Sequence, residues 1–96
     1  MSETLLRRRY RFFGAVQGVG LRWRARHAAE AVGATGWVCN NADGSVTLEL
    51  QGSEAQLDRV LQTLAESRYI EIRDTEMQRL PLEPGERGFS VRDDRW

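Results

Sequence analysis

An α+β sandwich of order β-α-β-β-α-β, closed by a short extra strand at the C-terminus, is the fold this chain predicts. Three observations carry that reading: a period-two stretch near the N-terminus, two separate apolar stripes at helical spacing, and a turn-linked strand pair between them. The 96 residues are enough for one core, and a single domain over 1–96 is expected. A hydrophobic share of 41% is that of an ordinary globular chain.

Leu6, Arg8, Tyr10 and Phe12 alternate with Leu5, Arg7, Arg9 and Arg11. This predicts a first strand from about 5 to 13 with one mostly apolar face, interrupted by Arg8, and one basic, wet face. From Leu21 the period changes. Leu21, Ala25, Ala28, Ala29 and Val32 form a helical stripe that ends at Gly33. Thr35 to Asn40 reads as a second strand, Asn41-Ala42-Asp43-Gly44 as a turn, and Val46, Leu48 and Leu50 as the inner face of a third strand.

Gly52 is expected to break that third strand. Ser53 and Gln56 then supply a capping box for a second helix with the stripe Leu57, Val60, Leu61 and Leu64. A fourth strand is expected near 68–74, around Ile70 and Ile72. After a loop holding Pro81, Pro84 and Gly85, Phe89 and Val91 face inward from a last short strand. This order is the split βαβ arrangement of a ferredoxin-like sandwich, an antiparallel sheet with two helices on one face. The first and second strands run parallel with the third between them. Their C-terminal ends therefore share one sheet edge, about 10 Å apart.

Charge is balanced overall but uneven along the chain. All fourteen basic residues are arginines. The first 26 residues hold seven of them against one acid, a net +6; the remainder holds seven against thirteen acids, a net −6. Such a field would draw small anions toward the N-terminal half. Cys39 is the single cysteine, so no intrachain disulfide can form. No signal-peptide-like or membrane-spanning apolar run is present, and a cytoplasmic monomer without membrane partners is expected.

The chemistry concentrates in residues 16–22, Val-Gln-Gly-Val-Gly-Leu-Arg. They sit where a strand passes into a helix. Gly18 and Gly20 can adopt φ > 0, letting successive backbone N–H groups point into one concavity. The helix that follows adds its unpaired amides and positive dipole end. Arg22 adds a planar five-donor fork suited to phosphate. Asn40 ends the second strand at the same sheet edge.

With those residues placed, the chain resembles the acylphosphatase family over essentially all of residues 5 to 92. The likeness rests on Gly14-Ala15-Val16-Gln17-Gly18-Val19-Gly20-Leu21-Arg22 and on Gly36-Trp37-Val38-Cys39-Asn40-Asn41-Ala42-Asp43-Gly44-Ser45-Val46, followed by Gln51-Gly52. The resemblance implies metal-free hydrolysis of the carboxyl-phosphate bond of small acyl phosphates, releasing a carboxylate and inorganic phosphate. It implies that Gln17, Gly18, Val19, Gly20, Leu21 and Arg22 bind the phosphoryl group and that Asn40 orients the attacking water, making Arg22 and Asn40 the catalytic pair. Leu21 stands where the family usually has Phe. The Gly-Pro usual after the second helix is replaced by Ser67-Arg68, at the rim that would select the acyl group.

These residue types suit that chemistry. An acyl phosphate brings its own leaving group, so positioning and charge stabilisation suffice and no cofactor is expected. An Asn amide both donates and accepts without titrating. Were the last proton to go to a phosphate oxygen of the substrate, little enzyme-derived pH dependence would be expected between about 5 and 8.

The other reactive residue types have plainer readings. His27 lies mid-helix, away from the loop, and reads as a surface or packing residue. Cys39 reads as a small core or interface residue, Trp37 as packing or an apolar wall of the site, and Trp23 as either. Asn41 reads as turn chemistry, bonding the backbone toward Asp43. Asp43, Asp93 and Asp94 show no metal-ligand spacing. Two other functions are compatible with the fold: an anion-binding domain without turnover, and an RNA-binding ferredoxin-like module. The latter needs aromatics on the third strand, and Ser45 to Gln51 has none, so no specific nucleic acid is expected.

Overall fold

A computed structural model describes residues 4–92. The elements run β1 (Leu5–Ala15), α1 (Leu21–Val32), β2 (Thr35–Asn40), β3 (Val46–Ser53), α2 (Glu54–Ala65), β4 (Glu71–Leu80) and β5 (Phe89–Val91). The strands form one sheet in the order β4-β1-β3-β2-β5. β1, β3 and β2 pair antiparallel, whereas β5 runs parallel to β2. The sheet is therefore mixed rather than wholly antiparallel.

Both helices cover one face. Tyr10, Phe12, Val38, Val46, Leu48 and Leu50 from the strands pack there with Leu21, Ala25, Ala29, Leu57, Val60 and Leu64 from the helices. The alternation in β1 and β3 and the stripes in α1 and α2 produce this core as the sequence predicts. α1 ends on Gly33, whose φ of 78° lets its N–H reach the last-turn carbonyls. α2 opens with the capping box of Ser53 and Gln56.

Three strand limits differ from the sequence reading. β3 continues through Gly52, which pairs with Leu6, to Ser53, which pairs with Leu5. Ser53 keeps an extended backbone while its side chain caps α2, so no separate break is needed. β1 extends to Ala15 because β4 pairs with it along its whole C-terminal half. β4 spans 71–80 instead of 68–74. It is an edge strand whose residues 73–79 are all exposed, so no hydrophobic alternation marks it. Its charges protect an otherwise open edge.

The expected wet basic face of β1 is largely neutralised and partly buried. Arg7 is 3% exposed and lies between Glu49 and Glu86, with Nη2 2.8 Å from Glu49 Oε1 and Nη1 2.8 Å from Glu86 Oε1. Arg9 pairs with Glu49 and Arg11 with Asp43. Arg8, on the helix-covered face, meets Glu54 at the first turn of α2. The fold thus interleaves the +6 and −6 parts of the chain, and the anticipated charge separation is mostly cancelled. Gly36 allows β2 to lie close against β3, since a Cβ there would overlap the Glu49 carbonyl.

Candidate active site

The segment between β1 and α1 is pinned from below by apolar side chains. Val16 and Leu21 are buried, and Val19 packs against the core. Gly18 and Gly20 are exposed between these anchors, with φ of 73° and 80°. A Cβ at either would meet no protein atom within 4 Å. The demand for glycine is therefore conformational, and the space beside the backbone is open.

Gly20 is also the N-cap of α1. It supplies no side-chain cap, and the first turn carries no acid. The contrast with α2 is direct: there Ser53 and Gln56 satisfy the first amides reciprocally. The amides at the start of α1 receive no such side-chain cap, the arrangement that favours an anion. Arg22 is half-buried in that first turn. The departure at Leu21 leaves this geometry intact, because its side chain points into the core.

Asn40 closes β2 on the other side of β3 from β1. It alternates with Trp37, Cys39 and Asn41, and so shares the helix-covered face with Val38. It is 8% exposed. Among the described residues its side-chain amide makes no hydrogen bond. Strand order brings it and the glycine segment to one sheet edge, two strand spacings or about 10 Å apart.

The β2–β3 turn beside Asn40 is heavily bonded. The Asn41 N–H donates to the Ser45 carbonyl (2.8 Å), and the Gly44 N–H to the Asn41 carbonyl (3.1 Å). The Asn41 amide donates to Ser45 Oγ and Thr47 Oγ1 at 2.9 and 2.8 Å. It does not bond the backbone toward Asp43 as the sequence suggested; the Asp43 carboxylate instead accepts from the Ser45 N–H. Hydrogen bonds from Ser45, side chain first and then backbone, together with Arg11, hold Asp43 below the usual carboxylate range. One contact across the site was not visible in the sequence. The Gln17 Nε2 donates to the carbonyls of both Asn41 (2.8 Å) and Ser45 (2.9 Å), tying the glycine segment to this turn.

The remaining residues fall away from this edge. His27 is exposed on α1, and Trp23 is exposed beside Arg26. Cys39 is fully buried, with its thiol 3.8 Å from Asn41 Oδ1. Trp37 is buried on the open face of the sheet with the Arg92 guanidinium 4.2 Å from its ring centre. It borders a groove of about 720 Å³ with Arg9, Arg11, Thr47 and Met77, which no residue of the glycine segment lines. Trp37 is therefore not a wall of the edge site. Among the described residues no three His, Cys, Asp or Glu side chains gather as metal ligands. Asp93 and Asp94 lie outside the described residues. No helix among the described residues is long and apolar enough to cross a membrane.

Known proteins match this chain in sequence and in fold. The acylphosphatase family model matches residues 8–91. An acylphosphatase of Bifidobacterium longum is 37% identical over 93 residues, covering 95% of this chain and 96% of that protein. One from Koribacter versatilis is 49% identical over 57 residues, but the match spans only about half (52%) of that relative and 59% of this chain. The crystal structure of acylphosphatase from Bacillus subtilis superposes with a TM-score of 0.81 at 29% identity, covering 90% of this chain and 97% of that one. The chain belongs to the acylphosphatase family.

Proposed function

We propose that this protein hydrolyses small acyl phosphates, with the phosphoryl group held by residues 17–22 and the attacking water oriented by Asn40. The observation that carries the proposal is the pairing of an uncapped helix N-terminus behind Gly18 and Gly20 with a side-chain amide, that of Asn40, at the same sheet edge.

The division of labour follows from the chemistry. The main-chain N–H groups of Gln17 to Leu21 and the Arg22 guanidinium meet the negative charge on the phosphoryl oxygens, as an oxyanion hole does. Asn40 accepts from and aims a water in line with the bond to the carboxyl oxygen. The water oxygen bonds to phosphorus while the P–O bond to the carboxyl oxygen breaks. Carboxylate leaves with the electron pair, and the water proton passes to a phosphoryl oxygen. No protein base is required, in keeping with the exposed position of His27 away from this edge.

An RNA-binding role is not favoured. The open face of β3 presents Thr47, Glu49 and Gln51, and the β1 arginines already face carboxylates. The test is benzoyl phosphate hydrolysis in the presence of EDTA by wild type, Arg22→Ala and Asn40→Ala, with folding checked by circular dichroism. Metal-independent turnover lost in both variants supports the proposal. A well-folded, inactive wild type that still binds phosphate would replace it with an anion-binding role.

A further inference from the structure

We infer that the Gln17 side chain is a positioning residue: a brace that sets the phosphate-binding segment at a fixed distance from Asn40. The inference rests on the hydrolase reading for its catalytic consequence, but its geometry stands independently.

A single nitrogen carries it. Gln17 Nε2 has two N–H donors, and both are engaged, with carbonyls four residues apart on opposite ends of the β2–β3 turn. Those carbonyls converge only when the turn is closed, since each also accepts a turn hydrogen bond, from Gly44 and from Asn41. The brace therefore engages the closed turn specifically. Its near end lies immediately before Gly18, and one of its acceptors belongs to the residue immediately after Asn40. The side chain is turned to the turn and not into the glycine concavity; only its main-chain N–H remains for a phosphoryl group.

The bonding also defines which replacements fail. A Glu at 17 has the same length but offers two acceptors to two carbonyls, which repel it. A Met has nearly the same volume and no donor. Asn retains the amide but is one methylene short. Residues 17–20 have no helical or strand ladder of their own to hold them. Loss of the brace therefore frees the segment relative to Asn40 while leaving Val16, Leu21 and the core in place. Misplacement of about 1 Å between reacting groups is enough to cost about a hundredfold in rate.

The test compares wild type, Gln17→Met and Gln17→Glu by benzoyl phosphate kinetics and by inhibition with inorganic phosphate. The variants are assayed well below their measured Tm so that only folded protein contributes. The expected result is a fall in kcat of about ten- to a hundredfold in both variants, with the phosphate inhibition constant changed less than about threefold in the uncharged Gln17→Met. Unchanged kcat in folded Gln17→Met would overturn the brace. So would a parallel rise in KM and in the phosphate inhibition constant at constant kcat, which would make the side chain a phosphate ligand. A second readout needs no activity: NMR scalar couplings across the hydrogen bonds from Gln17 Nε2 to the Asn41 and Ser45 carbonyl carbons. An inactive wild type that shows these couplings would refute the hydrolase reading and keep the brace; an active wild type that lacks them would do the reverse.

Discussion

Arg7 and Glu49 meet as a buried ion pair on the sheet face that carries no helix, with Arg7 Nε and Nη2 both bonded to Glu49 Oε1 at 3.0 and 2.8 Å. Glu49 serves Arg9 as well, and Arg7 also serves Glu86. Four charged side chains therefore form one network across β1, β3 and the segment before β5. Arg7 and Glu49 are its buried centre, and Arg9 and Glu86 are its more exposed ends.

Glu49→Ala is expected to destabilise the fold by about 1–3 kcal/mol, because the buried Arg7 guanidinium loses its bonds to Glu49 and keeps only those to Glu86 and Gln51. Urea unfolding at pH 7 measures it. The double variant Arg7→Met, Glu49→Leu should recover part of that loss, because the apolar replacements need no partner and the charges they leave, Arg9 and Glu86, are more exposed than the pair removed. A double variant as unstable as the single one would show that the network matters for shape more than for charge balance.

Arg22→Lys should lower turnover of benzoyl phosphate nearly as far as Arg22→Ala, by about 10²–10³-fold. An ammonium keeps the charge but not the planar fork. Inhibition by inorganic phosphate should weaken in both. Near-wild-type activity in the Lys variant would mean that charge alone suffices at this position.

Adjacent asparagines should separate cleanly. Asn40→Ala is expected to abolish most turnover while phosphate still inhibits any residual activity and binds by calorimetry. Asn41→Ala removes donors to Ser45 and Thr47. It should cost about 1–3 kcal/mol of stability with much less effect on kcat per folded molecule. Thermal melts and active-site-normalised rates, taken together, decide the assignment.

Stability should also fall in acid through Glu86. Burial pushes this carboxyl up, but hydrogen bonds from Arg7 and Thr35 and the charges of Arg7 and Arg92 outweigh it and hold the group below the ordinary glutamate range. A carboxylate depressed in the folded state contributes stability above its unfolded value, and that contribution disappears as pH falls through the folded one. Glu86→Gln should therefore lower Tm at pH 7 and lower it progressively less as pH falls below the ordinary glutamate range. A loss that does not change with pH would assign the effect to packing instead.

The parts of this molecule that could be read from sequence are those whose signals are local. The stripe from Leu21 to Val32, the capping box of Ser53 and Gln56, and the turn at Asn41 to Gly44 each declare themselves within a dozen residues. The glycine segment and Asn40 were legible through two motifs together with strand order. The rest depends on distant partners. β4 hid because both its faces are polar along an exposed edge. Arg7 looked like a solvated residue because the acids that enclose it lie 42 and 79 positions away. The reach of Gln17 to carbonyls 24 and 28 positions on could not be seen in a motif that also explains it as a phosphate-loop residue.

β1 lies between β3 and β4, flanked on both sides, and it is the strand from which the glycine segment emerges. A ribosome therefore releases the residues proposed for phosphate binding early, but the walls that hold their strand arrive only with residues 46–53 and 71–80. Such long-range closure slows folding relative to a locally connected chain of similar size. The site should be among the last features to become rigid on a growing polypeptide, and activity should appear together with completion of the sheet.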